Sequence, residues 1–308
     1  MNNTVYNLDF SSILGEVSEN CRKLIEKFDF RYRKLDEKER DAVILKVIER
    51  LNSKNLSFSG KERKDSWEKG WSENLKDFVG KGCDLKMLVP KYIKQDQSIR
   101  FSGDYVMPLD SDFEVNWYLV FRTWLFENYF KDASAIYEFG SGSGYNLPIL
   151  AELFPDKELH GLDWSESSKI IVDKMAENYN WNMKGHVFDM FSPDEGLEIK
   201  EGGACLTMGG FEQLGENFMP FLEYLCRKNF KVCVHMEPLK ELYDQNSLVD
   251  YLGLEFHKKR GYLGNFISAL KDLESKGKIN IIKIKKTGLG NLFHDGYCFC
   301  AWEPTKNG

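Results

Sequence analysis

From Ala135 onward, short apolar runs alternate with longer amphipathic ones, and this rhythm narrows the fold more than any other feature of the chain. "AIYEF", "ELHGLD", "GHVFDM", "GACLTM" and "KVCVHM" have the length and composition of buried strands. "NLPILAELF", "SSKIIVDKMAENY", "FMPFLEYLCRK" and "SLVDYLGLEFHKKRGYLGNFISALKDLESKG" carry helical spacing between or after them. Strands separated by helices pair in parallel, so an open parallel sheet covered on both faces is expected. The end of the chain breaks the rhythm. "INIIKIKKT" and "GYCFCAWEP" are separated only by "GLGNLFHD", which predicts an antiparallel hairpin at one edge of the sheet.

The region before the alternation reads differently. From about Leu8 to Leu51 the apolar residues Ile13, Val17, Cys21, Leu24, Ile25 and Phe28 recur at helical spacing, as does "RDAVILKVIERLNSKN". Trp67 and Trp71, four apart, share a face of a further helix. "KYIKQDQSIRFSGDYVMPLDSD" has weak periodicity and is expected to be a loop-rich connector, and Phe113 to Phe130 a buried helix docked on the sheet. Residues 1–110 are therefore expected to form a helical cap or lid and residues 111–308 an α/β domain.

"EFGSGSG", Glu138 to Gly144, lies where the first strand ends and a helix opens. Such a turn presents backbone N–H groups to a ligand above the strand's carboxyl end. A dinucleotide site wants G-x-G-x-x-G, but here the third glycine comes one residue early and bulky Tyr145 follows it. Glu138 precedes the first glycine by two residues, where a carboxylate repels a diphosphate and welcomes an ammonium or sulfonium. A glycine turn that only packs helix on strand, and an Asp163 that only caps the next helix, remain open at this point.

These segments resemble the class I S-adenosylmethionine-dependent methyltransferases. "EFGSGSG" resembles their first motif, "GLDWS" (Gly161 to Ser165) their second and "FDM" (Phe188 to Met190) their third, and the likeness runs from about Ala135 to Trp302. The resemblance implies a Rossmann-like, seven-stranded, mostly parallel sheet closed by a C-terminal antiparallel hairpin, with S-adenosyl-L-methionine as cofactor. It places Gly140, Ser141, Gly142 and Gly144 under the methionine part, Asp163 on the ribose, Asp189 on the adenine amino group, and Met190 or Trp164 against the ring. Arg100 and Tyr105 are expected on a lid over the cofactor.

Methyl transfer from a sulfonium needs alignment and dryness, and needs a base only when the nucleophile holds its proton firmly. His235 and Glu237, after the fifth strand, are the expected base and orienting carboxylate, with the pair competing against a purely structural histidine. Glu212, Gln213, Arg260, Tyr262, His294, Trp67 and Trp71 are candidate acceptor contacts, together with Tyr92 in the connector; His294–Asp295 is equally readable as a turn, and the two tryptophans as the seam of a cap. His160, His186 and His257 read as structural. The expected reaction is methylation of a small polar metabolite, a hydroxyl before an amine or sulfur. Rival readings are a protein or tRNA acceptor, a non-catalytic adenosylmethionine-binding protein, and a dehydrogenase. The 42 basic and 48 acidic residues are mixed along the chain with a net charge of -6, which argues against nucleic acid as a partner and leaves a homodimer admissible. No apolar run approaches a membrane span, and seven cysteines without a Cys-x-x-Cys pair suit reduced core thiols rather than a metal site, so a cytoplasmic location and no metal are expected.

Overall fold

A computed structural model describes residues 4–91 and 93–305; Tyr92 lies outside the described residues. The alternating half folds as expected. Strands β5 (Ala135–Phe139), β6 (Glu158–Asp163), β7 (Met183–Val187), β8 (Ala204–Met208) and β9 (Val232–Met236) are parallel, and β10 (Ile279–Lys285) and β12 (Phe299–Pro304) close the sheet as an antiparallel pair. The strand order is β10-β12-β9-β8-β5-β6-β7, so the direction of winding reverses between β5 and β8. That reversal opens the crevice where α/β sheets take their ligands.

Alternate residues along β5 feed opposite layers. Ile136 packs into one core with Val120, Leu147 and Val172, whereas Ala135, Tyr137 and Phe139 pack into a second with Phe221, Leu225 and Leu270. The helices supplying these layers are α5 (Phe113–Tyr129), α6 (Leu147–Leu153), α7 (Glu166–Tyr179), α8 (Met219–Arg227) and α10 (Phe266–Ser275). The long helical run after β9 is split: α9 (Leu248–Arg260) ends at left-handed Gly261, φ 61°, and α10 begins five residues later. All seven cysteines are free thiols. No described helix is long and apolar enough to cross a membrane.

The first 110 residues depart from the helical expectation. Helices α1 (Phe10–Leu14), α2 (Glu19–Lys27), α3 (Glu37–Leu51) and α4 (Lys64–Gly80) are present, but so are β1 (Val5–Asn7), β2 (Arg31–Lys34), β3 (Ile99–Phe101) and β4 (Asp104–Pro108). With β11 (Leu289–Gly290), taken from between the closing strands, they build a second, antiparallel sheet in the order β1-β2-β4-β3-β11. The presumed connector is thus a hairpin, turned by Ser102 and Gly103 with φ of 50° and 79°, the backbone of a tight two-residue turn.

Candidate functional site

Three glycines follow β5, and they do two different jobs. The N–H groups of Gly140 and Ser141 both donate to the Leu162 carbonyl, at 2.7 and 3.0 Å, which hangs the turn on the end of β6. Gly140 and Gly142 have φ of 73° and 55° and are approached closely from both sides. A Cβ on Gly140 would lie 3.1 Å from the Gly210 Cα, and one on Gly142 only 2.7 Å from the Trp71 ring. Gly144 is a packing glycine: its Cβ would meet the Met175 methyl of α7 at 2.6 Å, and it does not line the cavity.

Above the turn lies a cleft enclosing about 800 Å³ of empty space, part of it open solvent. Glu138, Ser141 and Asp163 stand at its floor, Trp164, Met190 and Phe191 on one side, and Gly209, Gly210 and Gln213 on the other. Trp67 and Trp71 of α4 cover it, their rings stacked at 5.5 Å and 19°. Trp164 stacks in turn on Phe191 at 5.7 Å. The expected partners Glu138, Gly140, Ser141, Gly142, Asp163, Trp164, Met190, Gln213, Trp67 and Trp71 therefore meet around one space.

The floor is electrostatically unusual. Glu138 is 1% exposed; its Oε1 accepts from Asn146 at 2.5 Å, while Oε2 has no hydrogen-bond partner. Burial pushes its pKa up to about 8 against the pull of the Asn146 hydrogen bond and the Arg122 charge. Burial likewise raises Asp163 to about 6, although the N–H groups of Gly142 and Ser165 donate to its two oxygens at 2.9 and 3.0 Å. Ser165, not Asp163, caps α7. A carboxylate offers about four lone pairs, so Asp163 keeps two after bracing the turn.

Several expected site residues are elsewhere, each for a physical reason. His235 is fully buried on the face of β9 that packs against Phe211, Phe266 and Trp302; its Nδ1 shares a 2.9 Å hydrogen bond with Thr207, and burial lowers its pKa to about 3. It does not reach the cleft. Glu237, also buried, accepts the N–H groups of Phe211 and Glu212 at 3.2 and 3.0 Å and so props the turn that carries Gln213. Glu212 faces that buried layer, its pKa raised to about 8 by burial and then by Glu237. Asp189 folds back to accept the Phe191 N–H at 2.9 Å and is not part of the wall. Arg100 and Tyr105, 1% exposed, belong to the second sheet rather than a lid. The Arg100 guanidinium is ion-paired to Asp295 at 2.8 Å and Asp250 at 2.7 Å, where Lys286 also binds. His294 packs against Phe256, His257 and Tyr262. Arg260 and Tyr262, bonded to each other at 3.0 Å, stand behind the Glu212–Gln213 turn rather than in the wall.

Other residues complete the site unannounced. Arg122 of α5 lies between the Tyr118 and Tyr145 rings, at 4.2 and 4.0 Å, and donates to Asn146 Oδ1 at 2.9 Å, which orients the amide that holds Glu138. Glu68 of α4 accepts the hydroxyls of Ser165 and Ser167 at 2.6 and 2.5 Å, bracing α4 against the start of α7. The aromatic density of α5 was the available sequence signal for the first; Glu68, one residue from Trp67, carried none.

No protein-family model and no curated protein matches this chain. Among solved structures, it is similar to an S-adenosylmethionine-dependent methyltransferase from Aquifex aeolicus, with 17% identity over 58% of this chain and 86% of that one and a TM-score of 0.41. It is also similar to the plantazolicin methyltransferase BpumL in complex with S-adenosylhomocysteine, with 14% identity over 76% and 98% and a TM-score of 0.43. A third is the N,N-8-amino-8-demethyl-D-riboflavin dimethyltransferase from Streptomyces davawensis, with 14% identity over 63% and 56% and a TM-score of 0.44. The seven-stranded sheet with its antiparallel closing pair, and the glycine turn at its reversal point, give this chain a Rossmann-like α/β fold.

Proposed function

We propose that this chain is an S-adenosyl-L-methionine-dependent methyltransferase acting on a small molecule. The observation that carries the reading is the floor of the cleft: a buried carboxylate oxygen of Glu138 without a partner, beside glycine backbone that a single methyl group would obstruct. Such a floor suits a positively charged nucleoside, whose charge would favour the ionised form of a Glu138 carboxyl that burial holds protonated near neutrality in the ligand-free chain, and it disfavours a diphosphate. The residues fit that cofactor further, because Ser141 Oγ and Trp67 Nε1 are also buried, unpartnered and on the same cleft. Glu138 and Ser141 would hold its amino-acid end, the two free lone pairs of Asp163 its ribose, and Trp164, Met190 and Phe191 its base. When bound, the cofactor supplies a methyl group on a sulfonium leaving group.

The chain's own contribution is positioning and the exclusion of water. Trp67 and Trp71 close the cleft, and Glu237 fixes the turn bearing Gln213. With His235 and Glu237 in the core, the case for hydroxyl deprotonation by that pair lapses. The acceptor atom favoured by this site is one with an available lone pair at neutral pH, such as an amine, a thiolate or an oxygen that arrives ionised.

Thermal denaturation with S-adenosylhomocysteine tests the reading. At a hundredfold excess over Kd the ligand contributes about 2.7 kcal/mol, a rise on the order of 5 °C for a chain of this size. Asp163→Ala should abolish that rise, and the isosteric Glu138→Gln should reduce it without unfolding the protein. Stabilisation by a nicotinamide dinucleotide and none by S-adenosylhomocysteine would overturn the assignment.

A further inference from the structure

One pair of like charges, Arg63 and Arg260, meets beside the tryptophan side of the cleft, and neither is ion-paired to an acid among the described residues. Arg63 and Trp67 lie one turn apart where the chain enters α4, and the Arg63 guanidinium sits 5.3 Å from the centre of the Trp67 ring, which lines the cleft. Behind the Glu212–Gln213 turn, Arg260 bonds Tyr262 and the carbonyl of Ser57. The two segments are stitched together: the Ser59 N–H donates to the Arg260 carbonyl at 2.7 Å, and Ser57 Oγ accepts from Arg63 at 2.8 Å. Both arginines therefore converge on Ser57.

Holding two guanidinium groups together costs free energy unless an anion joins them. Arg63 is drawn below the ordinary guanidinium range by burial and then by the Arg260 charge, and the group opposing that shift is the Tyr262 hydroxyl; no carboxylate among the described residues contributes. The carboxyl that feels Arg260, Glu212, is held protonated near neutrality by burial and does not neutralise it. Moreover Arg63 Nε is a buried donor without a partner, an arrangement that natural structures rarely leave unfilled. Lys61 adds a third cation beside the cleft, 5.5 Å from the Phe191 ring.

We propose that Arg63, Arg260 and Ser57 form an anion subsite beside the Trp67 side of the cleft, and that the methyl acceptor is a small molecule with an apolar body and a carboxylate or phosphate group bound there. The inference rests on the methyltransferase reading and deepens it. Guanidinium forks match either oxyanion, and the apolar walls between the tryptophans and Leu214 take the body of the molecule. The anion held beside Trp67 orients the acceptor so that its nucleophilic atom points into the cleft, which is the alignment that methyl transfer requires.

The test uses the full chain saturated with S-adenosylhomocysteine, titrated calorimetrically with salicylate, phenyl phosphate and the neutral benzyl alcohol. At least one of the two anions should bind tenfold or more tightly than benzyl alcohol, and the stronger one identifies the headgroup. Arg63→Gln and Arg260→Gln should each weaken that anion about tenfold while leaving the stabilisation by S-adenosylhomocysteine unchanged. Equal binding of anions and alcohol, no anion binding, or variants indistinguishable from the parent would overturn the subsite, as would preferential binding of a short single-stranded oligonucleotide. Because the S-adenosylhomocysteine response is read separately, loss of the anion subsite and loss of the cofactor reading remain distinguishable.

Discussion

His235 shows how one residue's place along a strand decides between chemistry and packing. On β9, Val232, Val234 and Met236 point into one core while Cys233 and His235 point into the other, the two-residue period of any strand. Met208, its neighbour in the sheet at the Met236 register, lines the cleft; His235, one step back, cannot. Its imidazole fills a gap between Phe211, Phe266 and Trp302 and stays neutral because burial carries its pKa to about 3. Replacing it with alanine should therefore cost stability, about 2–4 kcal/mol from lost packing and the lost hydrogen bond to Thr207. S-adenosylhomocysteine affinity, measured by calorimetry below the new melting temperature, should stay within about twofold. A variant of unchanged stability that loses turnover would restore His235 as a reacting group.

Helix α4 is the element on which access to the cleft depends. It puts Trp67 and Trp71 over the glycine turn on one side, and between them Glu68 reaches the first turn of α7, where the N–H groups and the helix dipole favour a negative charge. Further ties join the following segment to the core: Ser143 Oγ donates to the Leu88 carbonyl and Tyr179 to that of Cys83. Glu68→Ala should lower stability by about 1–2 kcal/mol and speed S-adenosylhomocysteine release several-fold in stopped-flow tryptophan fluorescence. Unchanged release with an unchanged melting temperature would mean that α4 does not gate the cleft. The sequence disclosed α4 through the spacing of its tryptophans, and β5 to β9 through apolar runs bounded by turns, because those signals are local. It did not disclose the second sheet, whose strands are two to five residues long and too short for a two-residue period to stand out. One of them, β11, pairs with β3 across almost two hundred residues of chain. The same distance hid Arg100, whose connector looked free of contacts until Asp250 and Asp295 closed around it. Glycine, serine and aspartate at Gly140, Ser141, Gly142 and Asp163 were legible, since a bare turn at a strand end is itself a local pattern.

Over the whole molecule, burial displaces acids and bases in opposite directions, which fixes how stability responds to pH. Glu114 and Glu237 are raised to about 7, Glu138 and Glu212 to about 8 and Asp163 to about 6, each by burial first. All five histidines are lowered, again by burial first, with His160 near 4 and His235 and His294 near 3. Where a carboxyl's folded pKa exceeds its unfolded value, the native state holds the extra proton, so stability falls as pH rises between the two values. Where a histidine's folded pKa lies below its unfolded value, the unfolded state holds the extra proton, and stability falls as pH drops from about 6.5. Between about pH 4.5 and 6.5 the two slopes oppose each other. Above 6.5 the histidines no longer contribute and the carboxyls alone set the slope, so the ligand-free protein should lose stability from pH 6.5 to 8.5. Below 4.5 these five carboxyls are protonated in both states, while the lowered histidines and the hydrogen-bonded Asp9 and Glu39, held at about 2 in the folded chain, all lose their stabilisation, so stability should fall again. Chemical denaturation of the ligand-free chain across pH 4 to 8.5 should therefore show a plateau near pH 5–6 with declines on both sides. Glu138→Gln should flatten the alkaline decline by removing one of its contributors. A stability that climbs steadily to pH 8.5 would mean that these carboxyls ionise freely in the folded protein, and with that would go the uncompensated burial of Glu138 at the floor of the cleft.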